Sequence, residues 1–446
     1  MAKLHKIIIH AAFGMWDLRK IGRSLPLLLA AMGFPIMVSG SELNVGPGQP
    51  FQRIEDALAT AKPGDILLIH ALPQNQPYDK VALLIRQPDL MLRAVPDHPG
   101  QLVRLSGTGF DYSGDGRIPR AMVQFDPPAQ GCTLDGFDLS GAHNAWHNGA
   151  GVRINQANDV LVTHCEIHDN DMGIMSNGSA LATPPSGNHQ RIEHCLIHHN
   201  GAACDPGNNH NLYLGGTSVT LLDCEVHSSL TGHNVKSRAH ITRVIDCYIH
   251  DSAAREIDLV DEVGCTDLPG SDALLLGNVI VKAKNNEENH SVVLFGQDVG
   301  HDRKGTLYLV HNTIVTPFIS PVVDLSTPHV RVRFIDNLVW DDGSGQKGQV
   351  LVKNRTGSNA NNLVTGQNNV FCGGFGPQGD LGVSIPGTEP PPFVDPERND
   401  FHLSKSDALL CGKACSLEEG QIPGDLLVDG YSRADHRDIG AFAFKP

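Results

Sequence analysis

The chain has 446 residues, 47 of them glycine and 28 proline, with aromatics at 5% and a formal net charge of −15. That acidity argues against nucleic acid and anionic membranes as partners, and any anionic ligand must rely on a local basic patch. The length would allow several ordinary domains, but a solenoid grows by adding rungs and can use all of it as one.

Residues 1–40 have the pattern of an export signal. Lys3, Lys6, Arg19, Lys20 and Arg23 precede an apolar run from Leu25 to Val38, with small residues at Ser39 and Gly40. The run is too short for an ordinary membrane span, so the expectation is a secreted or periplasmic protein, with an uncleaved anchor as the alternative. Cleavage would remove five basic residues and Asp17 and take the charge from −15 to −19. Residues 41–446 are expected to form a single domain.

FQRIEDALATAKPGDILLI, from Phe51, reads as a short amphipathic helix presenting Ile54 and Leu58, then a Pro-Gly-Asp turn into the first strand. The central region repeats one strand motif: VLVTHCEIHDN, QRIEHCLIHHN, VTLLDCEVHSS and ITRVIDCYIHDS, then LLLGNVIV, YLVHNTIV and FIDNLVW. Alignment stacks Cys165, Cys195, Cys224, Cys247, Asn278, Asn312 and Asn337, in steps of 30, 29, 23, 31, 34 and 25 residues. Strand-rich repeats of that size, with fixed strands and variable turns, are the mark of a solenoid whose rungs cannot bury their apolar faces alone. Within each motif the Cys/Asn slot and the next Ile or Val alternate with polar residues, so they point inward.

A second column runs through GAGVRI, DMGIMSN, HNLYLGG, HNVKSRAH, REIDLV and HSVVLFG. With Val152, Ile174, Leu212, Val235, Ile257 and Val293 inward, the outward residues are Arg153, Met175, Tyr213, Lys236, Asp258 and Leu294. One step earlier come Gly151, Gly173, Asn211, Asn234, Glu256 and Val292. The middle rungs are dense in ionisable groups, with His210, His233, Arg238 and Arg255 alongside. Lys236 is the leading candidate base, because Arg238 and Arg255 would disfavour its ammonium; a lysine paired with Asp258 or Glu256 is the competing reading. Arg255 can hold a carboxylate and stabilise charge developing on it, or simply pair with Asp251 or Asp258. The column His168, His198, His227 and His250 reads as a structural ladder rather than a metal site, and the HDN, HHN and HDS that end each motif as turn chemistry.

The proline cluster Pro390–Pro392 introduces FVDPERNDFHLSKSDALL and RADHRDIGAFAF, expected to close the C-terminal end. The four ladder cysteines are expected to be buried free thiols, since parallel side chains in a stack give poor disulfide geometry. Cys411 with Cys415, and Cys204 with Cys265, are the candidate pairs, and the absence of any CxxC argues against structural zinc.

These segments resemble the right-handed parallel β-helix proteins of the pectate-lyase-like superfamily, over most of the chain. The resemblance implies an all-β solenoid with capping segments, of roughly ten or eleven rungs and about 50 Å at the spacing of paired strands. GHNVKSRA followed by REIDL is similar, more distantly, to the alginate lyase and chondroitinase B family of polysaccharide lyases. That resemblance implies Lys236 as base and Arg255 as acid or charge stabiliser; Tyr213 and His233 are the alternative bases, and His210, Tyr213, His233, Asn234 and Arg238 are expected around the substrate. The family also holds calcium with an asparagine and two glutamates just before the lysine. Here Leu230, Thr231, Gly232, His233 and Asn234 stand there instead, so Asn211, Glu256 and Asp258 are the oxygen donors left to offer Ca2+.

The function so implied is β-elimination on a uronic-acid glycan by a monomeric, secreted lyase with an acidic polysaccharide as partner. Epimerisation shares its first step. A glycoside hydrolase would need two suitably spaced carboxyl groups, and a non-catalytic glycan-binding protein would need none of the chemistry; fold alone separates none of these.

Overall fold

A computed structural model of the protein describes residues 40–442 apart from 179–186, 205–207, 284–290, 317–320, 343–348, 360–362, 416–421, 432–436 and a few single or paired residues beyond 373. The expected export signal lies outside the described residues. Each turn of chain visits three sheets in order. In one rung Val160–Thr163 joins the first sheet, Glu166–His168 the second and Met172–Asn177 the third, before His189–Glu193 returns to the first. The three sheets hold 12, 12 and 10 strands, and every neighbouring pair within them is parallel and in register. The chain is a right-handed parallel β-helix.

Twelve strands exceed the ten or eleven rungs expected and span about 53 Å at ~4.8 Å per step. One reason is a strand, Glu42–Val45, that precedes the helix Ile54–Thr60 and pairs with Ile66–Ile69. The strand after the Pro-Gly-Asp turn is therefore the second of its sheet, not the first. The helix buries Ile54, Ala57 and Leu58 against the start of the core, as its spacing implies.

The ladder read from the sequence is present. Cys165, Cys195, Cys224 and Cys247 are at most 3% exposed, and Asn278, Asn312 and Asn337 are 0% exposed. Each thiol donates to the carbonyl two residues earlier, at 3.2 to 3.4 Å. Where cysteine gives way to asparagine the ladder becomes polar. Asn278 Oδ1 accepts from Cys247 N–H, and Asn278, Asn312, Asn337 and Asn369 pass side-chain hydrogen bonds along the stack at 2.9 to 3.0 Å. The residue before each slot, such as His164, His194, Asp223, Asp246, His311 and Asp336, has φ near +50°. That left-handed corner tolerates Asp, Asn and His better than other side chains, which explains the polar residue fixed there. Asp169, His199, Ser228 and Asp251, closing the HDN-type turns, adopt the same region.

The C-terminal segment does something other than close an end. Phe393, Phe401, Leu403 and Leu410 pack on outward residues of the second sheet, including Val279, Val315, Leu338 and Val370. Leu426 packs on the outer side of the first sheet, against Ile245, Leu274, Leu276 and Tyr308. Apolar residues that alternation points outward thus find a cover, each gaining roughly 1.5–3 kcal/mol when fully buried. Neither cluster reaches the third sheet, whose outer face carries the ionisable column.

None of the ten cysteines is in a disulfide. The Cys411–Cys415 and Cys204–Cys265 pairs do not form: Cys415 Sγ donates to Asp336 Oδ2 at 2.7 Å, and Cys265 Sγ to Arg238 O at 3.3 Å.

Candidate functional site

Along the third sheet the register is unbroken: Gln124, Arg153, Met175, Tyr213, Lys236, Asp258, Leu294 and Asp324 are successive partners. Their inward neighbours Val152, Ile174, Leu212, Val235, Ile257 and Val293 are 0% exposed, so packing of the coil fixes the outward direction of each charged group.

Lys236 is only 6% exposed. Its Nζ lies 2.8 Å from Asp298 Oδ2 and 3.5 Å from Asp258 Oδ2, and 5.9 Å from the centre of the Tyr213 ring. The crowding by cations expected around Lys236 is thus broken up by two carboxylates, and the competing reading, a pair with Asp258, is the arrangement observed. Asp258 is 1% exposed and also receives Arg255 NH1 at 3.0 Å and His233 Nε2 at 3.3 Å. Arg255 Nε donates to Ser291 Oγ at 2.9 Å. Arg238 donates through Nε to the Tyr213 hydroxyl at 2.8 Å and through NH2 to Asp298 Oδ2 at 2.5 Å.

Two histidines complete the wall. His210 and His233 stack at 5.1 Å with planes 5° apart, and His210 also stacks on Tyr213 at 5.6 Å. His210 Nδ1 accepts from His233 N–H and His233 Nδ1 from Arg255 N–H, both at 3.0 Å, which puts the ring proton of each on Nε2. Burial first, then the neighbouring cations, lowers His233 to about 4 and holds His210 well below the ordinary histidine range. Both rings are neutral donors at neutral pH.

Asp298 was not singled out in the sequence, because it lies outside the repeat, in the turn after strand Val293–Phe295. Asp261 sets its position. This fully buried carboxylate accepts the backbone N–H groups of Asp298, Val299 and His301. Burial works against both carboxylates, yet these amides hold Asp261, and Lys236 with Arg238 hold Asp298, below the ordinary carboxylate range. The cluster D-V-G-H-D after HSVVLFG was the available sequence signal.

Asn211, Asn234 and Glu256 are placed differently from the expectation. They are 0% exposed and turn into the interior at the corner before their strands. Asn170, Asn200, Asn211 and Asn234 form a second amide ladder, each Nδ2 donating to the next Oδ1 at 2.8 to 3.0 Å. Asn234 then donates to Glu256 Oε2 at 2.8 Å. Glu256, pushed up by burial, is opposed by Lys282, whose own value burial pulls down. The alternation rule fails there because a corner residue is not part of the pleat.

That placement removes the expected calcium set. Asn211 and Glu256 face the interior with their oxygens engaged, while Asp258 faces outward and already meets three nitrogen donors. The three do not converge, so these residues do not fit the ion.

The histidine column behaves as a ladder. Rings 168, 198, 227 and 250 stack at 5.0, 4.9 and 4.8 Å with planes 10° to 12° apart. Glu225, His227 and His250 do bring ligand atoms within 4.8 Å. Stacked parallel rings, however, point their lone pairs side by side rather than at one point, while a metal needs nitrogens converging at about 2.0–2.1 Å.

No protein-family model matches the sequence, and no curated protein matches it. Among solved structures it is similar to the crystal structure of pectate lyase Pel9A, with TM-score 0.51 and 11% identity over 91% of this chain and 96% of that one. It also aligns with the catalytic unit of a thermostable GH87 alpha-1,3-glucanase from Streptomyces thermodiastaticus strain HF3-3. There the TM-score is 0.41 and identity 15%, over 80% of this chain and 68% of that one. The first likeness is one of fold: both chains are parallel β-helices.

Proposed function

We propose that the protein is an exported polysaccharide lyase acting on a uronic-acid glycan, with the third-sheet face as its active site. The observation that carries this reading is the phenol of Tyr213, held at 2.8 Å by the Arg238 guanidinium with the Lys236 ammonium over its ring. The guanidinium fixes the phenolic oxygen in the cationic part of the face, where the carboxylate of a sugar would dock. Three cations, Lys236, Arg238 and Arg255, are gathered on this one face of an acidic chain, where Asp258, Asp298 and, behind it, Asp261 hold them in place.

In this reading the sugar carboxylate docks against Lys236 and Arg238, displacing part of their contact with Asp298. The negative charge that builds up on it is offset there, which acidifies the neighbouring C–H. Tyr213, having lost its own proton to solvent, takes that proton. The C–H electron pair forms a carbon–carbon double bond, the C–O bond to the leaving sugar breaks, and the departing oxygen takes a proton from water or Lys236. Arg255 acts through Asp258, keeping it in place beside Lys236. Of the three candidate bases, Lys236, Tyr213 and His233, Tyr213 is taken in this reading, because Lys236 is engaged by Asp298 at 2.8 Å and His233 by Arg255 N–H and Asp258. Hydrolysis is less well supported: it calls for one carboxyl that stays protonated, whereas Asp298 is held ionised by Lys236 and Arg238. The fold likeness to a pectate lyase is compatible with this reading.

The test is incubation of the full chain with uronic-acid polysaccharides and with the same polymers after reduction of their carboxyl groups to alcohols. Cleavage of the acids alone is expected. Equal cleavage of the reduced, neutral polymers would reject the proposal.

A further inference from the structure

Three strands before Lys236, the same outward column carries Arg153, about 14 Å away at ~4.8 Å per strand. Its guanidinium donates to Met175 Sδ at 3.2 Å, and a thioether is a weak acceptor. Arg120 lies on the adjacent strand connection, its backbone carbonyl bonded to Ala150 N–H. The Arg120 side chain lies against Gly114, where φ is +78° and a Cβ would run into its Cγ, Cδ and Nε, so the turn is shaped around it. Burial, then the charge of Arg120, pulls Arg153 below its ordinary value, with Asp126 acting the other way.

Asp126 is the nearest acid named in that balance, and its oxygens are already taken. Oδ2 accepts from Arg86 at 3.0 Å; Oδ1 accepts from Gln124 at 2.9 Å and Asn155 at 3.2 Å. Among the described residues neither Arg153 nor Arg120 has a carboxylate within ion-pair distance. Two like charges on this stretch of the outer face, with a thioether the acceptor that Arg153 meets, suit an anion supplied from outside. Between this pair and Tyr213 the face is apolar, with Met175 and Tyr213 packed on Ala121, Ala150 and Met172.

We propose that Arg153 and Arg120 form a second anion subsite, which binds a carboxylate of the same acidic glycan some sugars away from the one that reacts at Tyr213. This rests on the lyase reading, and extends it by laying the polymer along the coil, across the strands, with charged ends and an apolar middle. A sulfate ester offers similar oxygens, so the test must separate the two sources.

The experiment is calorimetric titration of the full chain carrying Tyr213→Phe, so that ligand is not consumed, with and without Arg153→Gln. The probes are hexamers of galacturonate and of mannuronate, their methyl esters, and dextran sulfate. A charged hydrogen bond of this kind corresponds to about 10–100-fold in affinity. Arg153→Gln is expected to weaken binding of a free-acid hexamer by that factor, Arg120→Gln by less, and neither to change binding of the methyl ester. Arg153→Lys, which keeps the charge, should fall between and guards against a folding defect. Equal affinity of the parent and Arg153→Gln for the acid hexamers overturns the subsite, as does absence of hexamer binding by the parent. An Arg153-dependent loss confined to dextran sulfate overturns the carboxylate assignment. Arg153-dependent hexamer binding by a protein that makes no unsaturated product leaves the subsite standing and removes the lyase reading. Elimination with Arg153-independent binding does the reverse.

Discussion

Two columns of titratable side chains run along this coil, and they behave oppositely. On the second sheet, His168, His198, His227 and His250 repeat one residue in one orientation, each ring stacked face to face on the next while acids such as Asp138 and Glu225 meet their edges. On the third sheet, Tyr213, Lys236 and Asp258 occupy equivalent positions with different chemistry, so neighbours one strand apart interact as acceptor, cation and anion. Repetition gives parallel vectors and a structural stack, whereas breaking the repetition lets groups converge on a ligand. Among the described residues, the C-terminal segment that covers the outer sides of the other two sheets does not pack on the third.

The largest effect expected on the third face is catalytic. Tyr213→Phe removes the hydroxyl while keeping the ring that packs on His210, and should lower kcat by about 10²–10⁴-fold with little change in unfolding. Retention of most activity in a steady-state assay would reassign the base, with Lys236 next in line.

Beneath that face, Lys282→Met should destabilise the fold by about 3–5 kcal/mol by leaving Glu256 as a buried, uncompensated acid at the end of its amide ladder. Urea unfolding at pH 7.5 measures it. A double variant, Lys282→Met with Glu256→Gln, should recover much of the loss; if it does not, the pair is not what stabilises this corner. A smaller effect is expected from Asp261→Ala, which leaves three backbone N–H groups without their acceptor and should cost about 1–3 kcal/mol. It should also raise KM, since the turn that carries Asp298 loses its anchor. An unchanged KM would separate Asp298 from the site.

The histidine column should respond to pH without affecting chemistry. The hydrogen bond to Asp138, with a lesser one to Asp169, raises His168 to about 9; Asp251 and Glu225 outweigh burial to raise His250 to about 9. A raised histidine stabilises the fold fully below its unfolded value of about 6.5, and that contribution is lost as pH climbs through 9. Burial and the charges of His250 and His198 lower His227 to about 4, so its contribution is intact above about 6.5 and lost as pH falls towards 4. Melting curves of His250→Gln should therefore fall less than those of the parent between pH 6.5 and 9. Identical slopes would mean that His250 is not charged in the fold.

The coil was legible in the sequence because its inward positions recur with a strand's period of two and a rung's longer spacing. Cys165 to Asn337 could be aligned without any structure. The outward column from Arg153 to Leu294 was legible for the same reason. What escaped was everything that lies off the pleat. Asn211, Asn234 and Glu256 sit at corners, where alternation no longer says which way a side chain points. Asp298 and Asp261 belong to connections with no repeat to align, and Lys282 reads in sequence as the first of the polar residues that end the strand Val279–Val281. The C-terminal segment was recognisable as a cover, but sequence could not tell an open end from a flank.

The most direct test of the lyase reading follows two signals together as the wild-type protein acts on an acidic polysaccharide: ultraviolet absorbance of an unsaturated uronate, and new reducing ends. Elimination at the Tyr213–Lys236 face predicts that both rise in step, and that both are lost in Tyr213→Phe. New reducing ends without the absorbance would contradict it.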